Sequence, residues 1–261
     1  MDLLLELLAV AAAVAALLYI ALIVPTRWLK IEQVRHPLGI GARILQISDL
    51  HVDMLRVSSG KLQEAIQRTK PDYIFLTGDY TYKESCLPEL DRYIRMIAEE
   101  GVPVYSVLGN HDYNFPGVQR IIDVMERYGV TVLRNESREL ADFILVGIDN
   151  YGTGHSRIQE AYRDVDGNNG MKPVIVITHD PNIVPVLRRP FEYLMSGHLH
   201  GKQMNIPFFF SFVQKGPLPA KGIYKGLHHS PSGTYYISKG IGQAGINARF
   251  MVRSEITLHE I

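Results

Sequence analysis

The sequence predicts an α/β domain built from two packed sheets, carried behind one membrane-spanning helix. Three observations lead there. An uncharged apolar run opens the chain, short apolar runs then alternate with stretches of helical periodicity, and later apolar runs follow one another with few helices between them. The 261 residues are enough for one large domain of this class.

The opening run comes first. Residues 7–24 read LLAVAAAVAALLYIALIV without a charge, preceded by Leu3–Leu5 and a single Glu6. That length suffices for the roughly 30 Å hydrocarbon core of a bilayer. A secretory signal would begin with Lys or Arg, whereas here Met1, Asp2 and Glu6 lead. A buried core helix would be shorter and apolar on one side only. Residues 1–26 are therefore expected to be a transmembrane anchor. Arg27, Lys30 and Arg35 follow it, with Trp28 at the interface, although the same residues also suit an ordinary solvated linker. By the positive-inside rule this flank lies in the cytoplasm, giving a single-pass protein of the inner (cytoplasmic) membrane with its domain facing the cytoplasm. Residues 27–42 read as a juxtamembrane linker, with the PLGIG of 37–41 as a hinge, and residues 43–261 as the globular domain.

Within that domain, 43–48 (RILQIS), 73–77 (YIFLT) and 104–108 read as the first three strands. Leu62, Ala65 and Ile66 recur at helical spacing between the first two, and Leu90, Tyr93, Ile94 and Ile97 between the next two. Val118, Ile121, Ile122 and Met125 give another helix face. Further strands are expected at 130–133, 144–148, 174–178, 193–195, 233–238 and 255–258. The βαβαβ start implies a largely parallel first sheet, and the later strands a second sheet packed on it.

Lys+Arg and Asp+Glu both number 27, a balance that argues against nucleic acid as a partner. The lone Cys86 excludes an intramolecular disulfide. Histidines carry more information. The strand ends read Ser48-Asp49-Leu50-His51, Gly78-Asp79, Gly109-Asn110-His111-Asp112, Thr178-His179 and Gly197-His198-Leu199-His200. Asp49 and Asp79 lie 30 residues apart, and Asp79 and Asn110 31, intervals that suit one βαβ unit each. Parallel strands would bring these ends to the edge where open α/β sheets bind ligands. Carboxylate, amide and imidazole donors suit Mn²⁺, Fe or Zn²⁺, and the lack of Cys ligands argues against a structural zinc site. Glycines before Asp79, Asn110 and His198 are expected to allow sharp turns.

This ordered series is similar to that of the calcineurin-like metallophosphoesterase family, over about residue 43 to the C-terminus. The resemblance implies a four-layer α-β-β-α sandwich of two mixed sheets. It implies two divalent cations, Mn²⁺ first among the candidates with Fe or Zn²⁺ as alternatives. Asp49, His51 and His200 would hold one, Asn110, His179 and His198 the other, with Asp79 bridging. His111 would act beside the leaving group as acid or phosphate-oxygen stabiliser, and Asn110 would also touch substrate. The protein Ser/Thr phosphatase branch has an Asp three residues after the bridging Asp to orient that histidine. Here Tyr82 stands there, which argues against that branch and leaves the partner of His111 open, with neighbouring Asp112 as a candidate.

The tail 237–258 together with the anchor resembles a membrane-associated bacterial branch that includes a UDP-2,3-diacylglucosamine pyrophosphatase of lipid A synthesis. That implies cleavage of a phosphodiester or pyrophosphate bond in a lipid-linked substrate, giving lipid X and UMP in that case, with the bilayer as partner. A phosphodiesterase for a small soluble diester such as a cyclic nucleotide, and a non-catalytic scaffold, are the alternatives. Residues 206–213 (IPFFFSFV) read either as a buried strand or as an apolar lip touching acyl chains. Lys202, Lys215, Lys221 and Lys225 around it could meet lipid phosphates or merely solvate a loop. Arg249 is expected to reach a substrate phosphate, or to form a structural salt bridge. His155 is a rim candidate, and His228 and His229 point opposite ways if in a strand.

Overall fold

The computed structural model describes residues 2–165, 167, 171–206 and 216–261. Lys30–Arg35 (β1), Arg43–Ile47 (β2), Tyr73–Thr77 (β3), Val104–Val107 (β4) and Thr131–Val132 (β5) come first among the strands. Glu136–Glu139 (β6), Ile144–Gly147 (β7), Val174–Ile177 (β8) and Tyr193–Ser196 (β9) follow. Gly226–Ser230 (β10), Gly233–Ile237 (β11) and Glu255–Glu260 (β12) complete the set among the described residues. One sheet has the order β1-β12-β2-β3-β4-β5 and the other β10-β11-β9-β8-β7-β6. Both are mixed. β2 to β5 run parallel, as do β7, β8, β9 and β11, while β12 is antiparallel to β2, β6 to β7 and β10 to β11.

The helices are Asp2–Leu22 (α1), Val24–Arg27 (α2), Ser59–Thr69 (α3), Leu87–Ala98 (α4), Asn110–Asn114 (α5), Gln119–Arg127 (α6), Ile158–Ala161 (α7) and Pro217–Ala220 (α8). Ser58 caps α3 by accepting the Lys61 N–H, and Pro88 stands at the start of α4, where no intrahelical N–H is needed. The apolar stripes then decide placement. Leu62 and Ile66 of α3, Leu90, Ile94 and Ile97 of α4, and Ile121 and Met125 of α6 pack with Leu45, Ile74 and Leu76 on the outer face of the first sheet. Ile44, Phe75 and Val107 face Leu145, Ile175, Ile177 and Met195 between the sheets. Val146, Val176 and Leu194 meet Ala161, Ile183 and Leu218 beyond the second sheet. The result is the expected α/β sandwich of two mixed sheets with helices outside.

The helical span Leu3–Arg27 is 25 residues long with mean hydropathy 2.9, long and apolar enough to cross a membrane, and none of its apolar window is buried.

Three strands lie where none was expected: β1, β6 and β10. Among the described residues all three are sheet edges, and their sequences KIEQVR, ESRE and GLHHS lack an apolar run because they are only partly covered. β1 also corrects the expected linker of residues 27–42. Lys30–Arg35 pairs in parallel with Glu255–Glu260, so this stretch is part of the first sheet. Of 206–213 only Ile206 is described, so the choice between strand and lip falls outside the described residues, as does Lys215.

Candidate metal centre

β2, β3 and β4 run parallel in the first sheet, and β8 and β9 in the second. The segments leaving their C-terminal ends carry Asp49 and His51, Asp79, Asn110, His179, and His198 and His200. The two sheets therefore deliver ligands to a common edge from opposite sides. Asp49, His51, Asp79 and His200 form one group of donors, all buried, and Asp79, His179 and His198 form a second, so that Asp79 belongs to both. His51 Nε2 lies 3.4 Å and His179 Nε2 3.1 Å from Asp79 Oδ2. His200 Nε2 lies 3.3 Å from Asp49 Oδ1, and His198 Nδ1 3.2 Å from His179 Nε2. Donors bound at about 2.0–2.2 Å to one cation sit about 3.0–3.4 Å apart when adjacent, so these separations fit shared coordination.

An orphaned atom agrees with that chemistry. Asn110 Oδ1 is buried with no hydrogen-bond partner among the described residues. A buried polar atom left unmatched costs about 1–3 kcal/mol, which a cation would offset. His179 Nδ1 donates to the Thr77 carbonyl at 2.8 Å, which fixes the ring and leaves Nε2 for a cation. Burial would depress His179, but the Asp79 charge and hydrogen bond outweigh it and push the imidazole up to about 10. Burial opposes ionisation of Asp79, yet His179 and His51 hold its carboxyl well below the usual carboxylate range. Without a cation, the cluster thus keeps a proton where one would bind.

The turns achieve this at a conformational cost. Asp49, His51, Asp79, His198 and His200 all have positive φ, between 40° and 70°. Non-glycine residues adopt that region rarely, and cluster there at functional sites. The glycines mostly serve another purpose than the one expected. Gly78 does turn, with φ of 87°, but neither Gly109 nor Gly197 has positive φ. They are needed for close approach: a Cβ on Gly109 would stand 2.1 Å from Asp79 Oδ1, and one on Gly197 1.9 Å from Ser48 Oγ.

His111 stands half-buried over the cluster. Its N–H donates to Asp79 Oδ1 at 2.8 Å, and its ring meets His51 edge-on at 4.8 Å and Tyr82 at 5.5 Å. Burial, more than the opposing pull of Asp79, lowers its pKa. Asp112 is turned away from this ring. It accepts the N–H groups of Asp79, Tyr80 and Gly109, tying the two ligand turns of β3 and β4 together. Nothing in the sequence marks Asp112 for that task beyond its place in the motif.

Arg249 corrects its expectation. The side chain is fully buried, and its guanidinium lies 2.9 Å from the carbonyls of Lys239 and Gly240 and reaches those of Gly242 and Arg253. It braces the glycine-rich loop against Asp49, with Gly242 N–H donating to the Asp49 carbonyl, and has no open face for a substrate phosphate. His155 stacks on Tyr113 at 3.6 Å, and Tyr113 in turn donates to buried Asp149. His228 and His229 lie on edge strand β10, away from the ligand-bearing ends.

The calcineurin-like phosphoesterase profile matches residues 42–202, which hold every candidate ligand named above. The chain is 35% identical to Bacillus subtilis YkoQ, described as an uncharacterized metallophosphoesterase, over 85% of this chain and 86% of that one. It is 27% identical to an uncharacterized metallophosphoesterase of Aquifex aeolicus, over 87% of this chain and 88% of that one. A Danio rerio transmembrane protein with a metallophosphoesterase domain is 26% identical over 83% of this chain, which spans about half (52%) of that longer protein. A profile covering most of the domain and relatives aligned along nearly its whole length leave one assignment: this chain belongs to the calcineurin-like phosphoesterase family and is a metallophosphoesterase.

Proposed function

We propose that the chain hydrolyses a phosphodiester or pyrophosphate bond in a lipid-linked molecule, at the cytoplasmic face of a membrane, using two divalent cations. The observation that carries the reaction class is the pair of donor groups sharing Asp79. Asp49, His51 and His200 would complete one cation site, and Asn110, His179 and His198 the other, with Mn²⁺ the first candidate. When bound, such a pair neutralises phosphoryl charge and acidifies a water near neutral pH. The chain's own residues do the rest. Asp79 holds the two groups in register, and its Oδ1 anchors the His111 backbone. Burial keeps His111 neutral, so the ring carries one N–H, which it donates to the leaving oxygen. Tyr82 packs against that ring and limits its rotation.

The lipid-linked substrate rests on the exposed apolar helix, on the resemblance of the tail to a branch that includes a UDP-2,3-diacylglucosamine pyrophosphatase, and on the transmembrane description of the zebrafish relative. Mn²⁺-supplemented full-length protein in detergent should cleave UDP-2,3-diacylglucosamine, or a related lipid diphosphate, in preference to cyclic nucleotides. Preferred turnover of a cyclic nucleotide would overturn the lipid reading while leaving the phosphoesterase intact.

A further inference from the structure

The end of the apolar helix is built into the loop that backs the metal centre. The Arg249 N–H donates to the Leu22 carbonyl at 3.0 Å, and Ser254 N–H to the Pro25 carbonyl at 3.1 Å. Ser254 Oγ donates to the Thr26 carbonyl, and the Arg253 guanidinium lies 3.7 Å from the centre of the Trp28 ring. On its other side the same loop touches the ligands. Ile241 and Gly242 donate to the Ser48 and Asp49 carbonyls. Gln203, three residues after His200, gives its side-chain amide to the Ala244 and Ile246 carbonyls and accepts the Ala244 N–H. Arg249 and Gln203 thus clamp residues 239–254 between the helix base and both ligand-bearing loops. The span is not a loose tether; it fixes the height of the metal centre above whatever surface the helix enters.

The loop's outward residues match such a surface. Met251 is 72% exposed, Ile246 55% and Trp28 56%, three large apolar side chains on segments bonded to the helix base, and exposed Ile206 follows Asn205, whose N–H donates to the Phe250 carbonyl. Met251 also has φ of 56°, so the backbone is held in a disfavoured conformation while presenting an apolar side chain to the outside. No Asp or Glu occurs in 241–254, whereas Arg253 lies within it against Trp28 and Arg56 bonds its Asn247. Arg56 hydrogen-bonds Asn247, and Lys61 Nζ the Arg27 carbonyl, holding these cations at the loop's flank. Apolar side chains ringed by cations suit the interface of an anionic bilayer.

We infer that residues 244–253, with Trp28 and Ile206, form a platform seated in the headgroup layer, which holds the metal centre at the level of lipid phosphates. The inference rests on the membrane reading above and deepens it. It commits to the bilayer as occupant because the surface is continuous with the apolar span.

The test places an environment-sensitive thiol label at position 251 (Met251→Cys), and separately at 246 (Ile246→Cys), in a Cys86→Ser background. The full-length protein is reconstituted in vesicles of phosphatidylethanolamine and phosphatidylglycerol. A control label replaces Met171, an equally exposed residue just ahead of β8, at the opposite strand ends from the ligands. Brominated acyl chains should quench the labels at 251 and 246 at least about tenfold more than the label at 171, and aqueous iodide should show the reverse order. Iodide access at 251 and 246 equal to that at 171 would overturn the platform. Shielding from both quenchers would overturn it too, because a protein partner would then cover the loop. Turnover of bis(p-nitrophenyl) phosphate by the same samples reports the metal centre separately, so its failure would count against the proposed reaction and not against the platform.

Discussion

Asp79 is the one donor common to both groups, so its removal should disturb both at once. Asp79→Ala should lower bound metal from two equivalents to one or none by mass spectrometry of the dialysed protein, and reduce diesterase activity to background. Full metal content in that variant would refute the bridging role. Asp112 touches no donor group directly, yet it secures three backbone N–H groups of the ligand turns. Asp112→Ala leaves those buried donors unmatched and should cost about 3 kcal/mol or more of stability by urea denaturation. Metal affinity should fall roughly 10- to 100-fold, as for other supports of ligand geometry. The residue types at these positions are legible in the sequence alone. Motif order marks the ligands because the chemistry demands those donors after strands. Backbone conformation is not legible in this way: no single residue announces the positive φ of Asp49, His51, Asp79, His198 and His200.

Elements explain the remaining differences between expectation and structure. Central strands such as β3 and β8 are covered on both faces and show as apolar runs, whereas β1, β6 and β10 have one neighbour each among the described residues and carry polar residues. Arg249 reads as a phosphate contact in sequence because a lone Arg after a glycine-rich loop suits either role, and only the fold shows the carbonyls around it. Arg249→Met should therefore destabilise the domain by about 3 kcal/mol or more, through unmatched carbonyls, and should lower metal content with it. A rise in KM alone, with unchanged stability, would restore the substrate-binding role. β12 carries a second buried polar element. Tyr193 Oη lies 2.9 Å from His259 Nδ1, and His259 Nε2 lies 3.1 Å from Gln46 Oε1, which links the two sheets. Burial, aided by His36, pushes His259 down to about 3 from the ordinary 6.5. The unfolded chain takes up this proton below pH 6.5 and the folded chain does not until about pH 3. The stability that depends on neutral His259 is thus complete above 6.5 and lost as pH falls, by about 1.4 kcal/mol per unit at the steepest. His259→Gln should flatten the acid limb of a denaturation-versus-pH curve between pH 6 and 4. An unchanged slope would place the acid sensitivity elsewhere.

At the scale of the whole molecule, the metal centre is also a joint. First-sheet residues Asp49, His51 and Asp79 and second-sheet residues His179, His198 and His200 are the candidate donors, so bound cations would tie the two sheets together. Chelation should lower the thermal midpoint, and added Mn²⁺ at 100 times its Kd should restore about 2.7 kcal/mol. A midpoint indifferent to chelator would mean that the sheets do not depend on the metal. The pairing of β1 with β12 has a consequence for the order of synthesis. β12 follows every other described strand, yet it fills the gap between β1 and β2. On the ribosome, β1 emerges directly behind the apolar helix, while its neighbour is more than 200 residues from being made. Until 255–260 arrive, β1 and β2 each present an open edge to the gap that β12 will fill. Closure of the first sheet thereby reports that translation has passed this strand, and a chain cut short before it would remain an unfinished sheet for proteases to find.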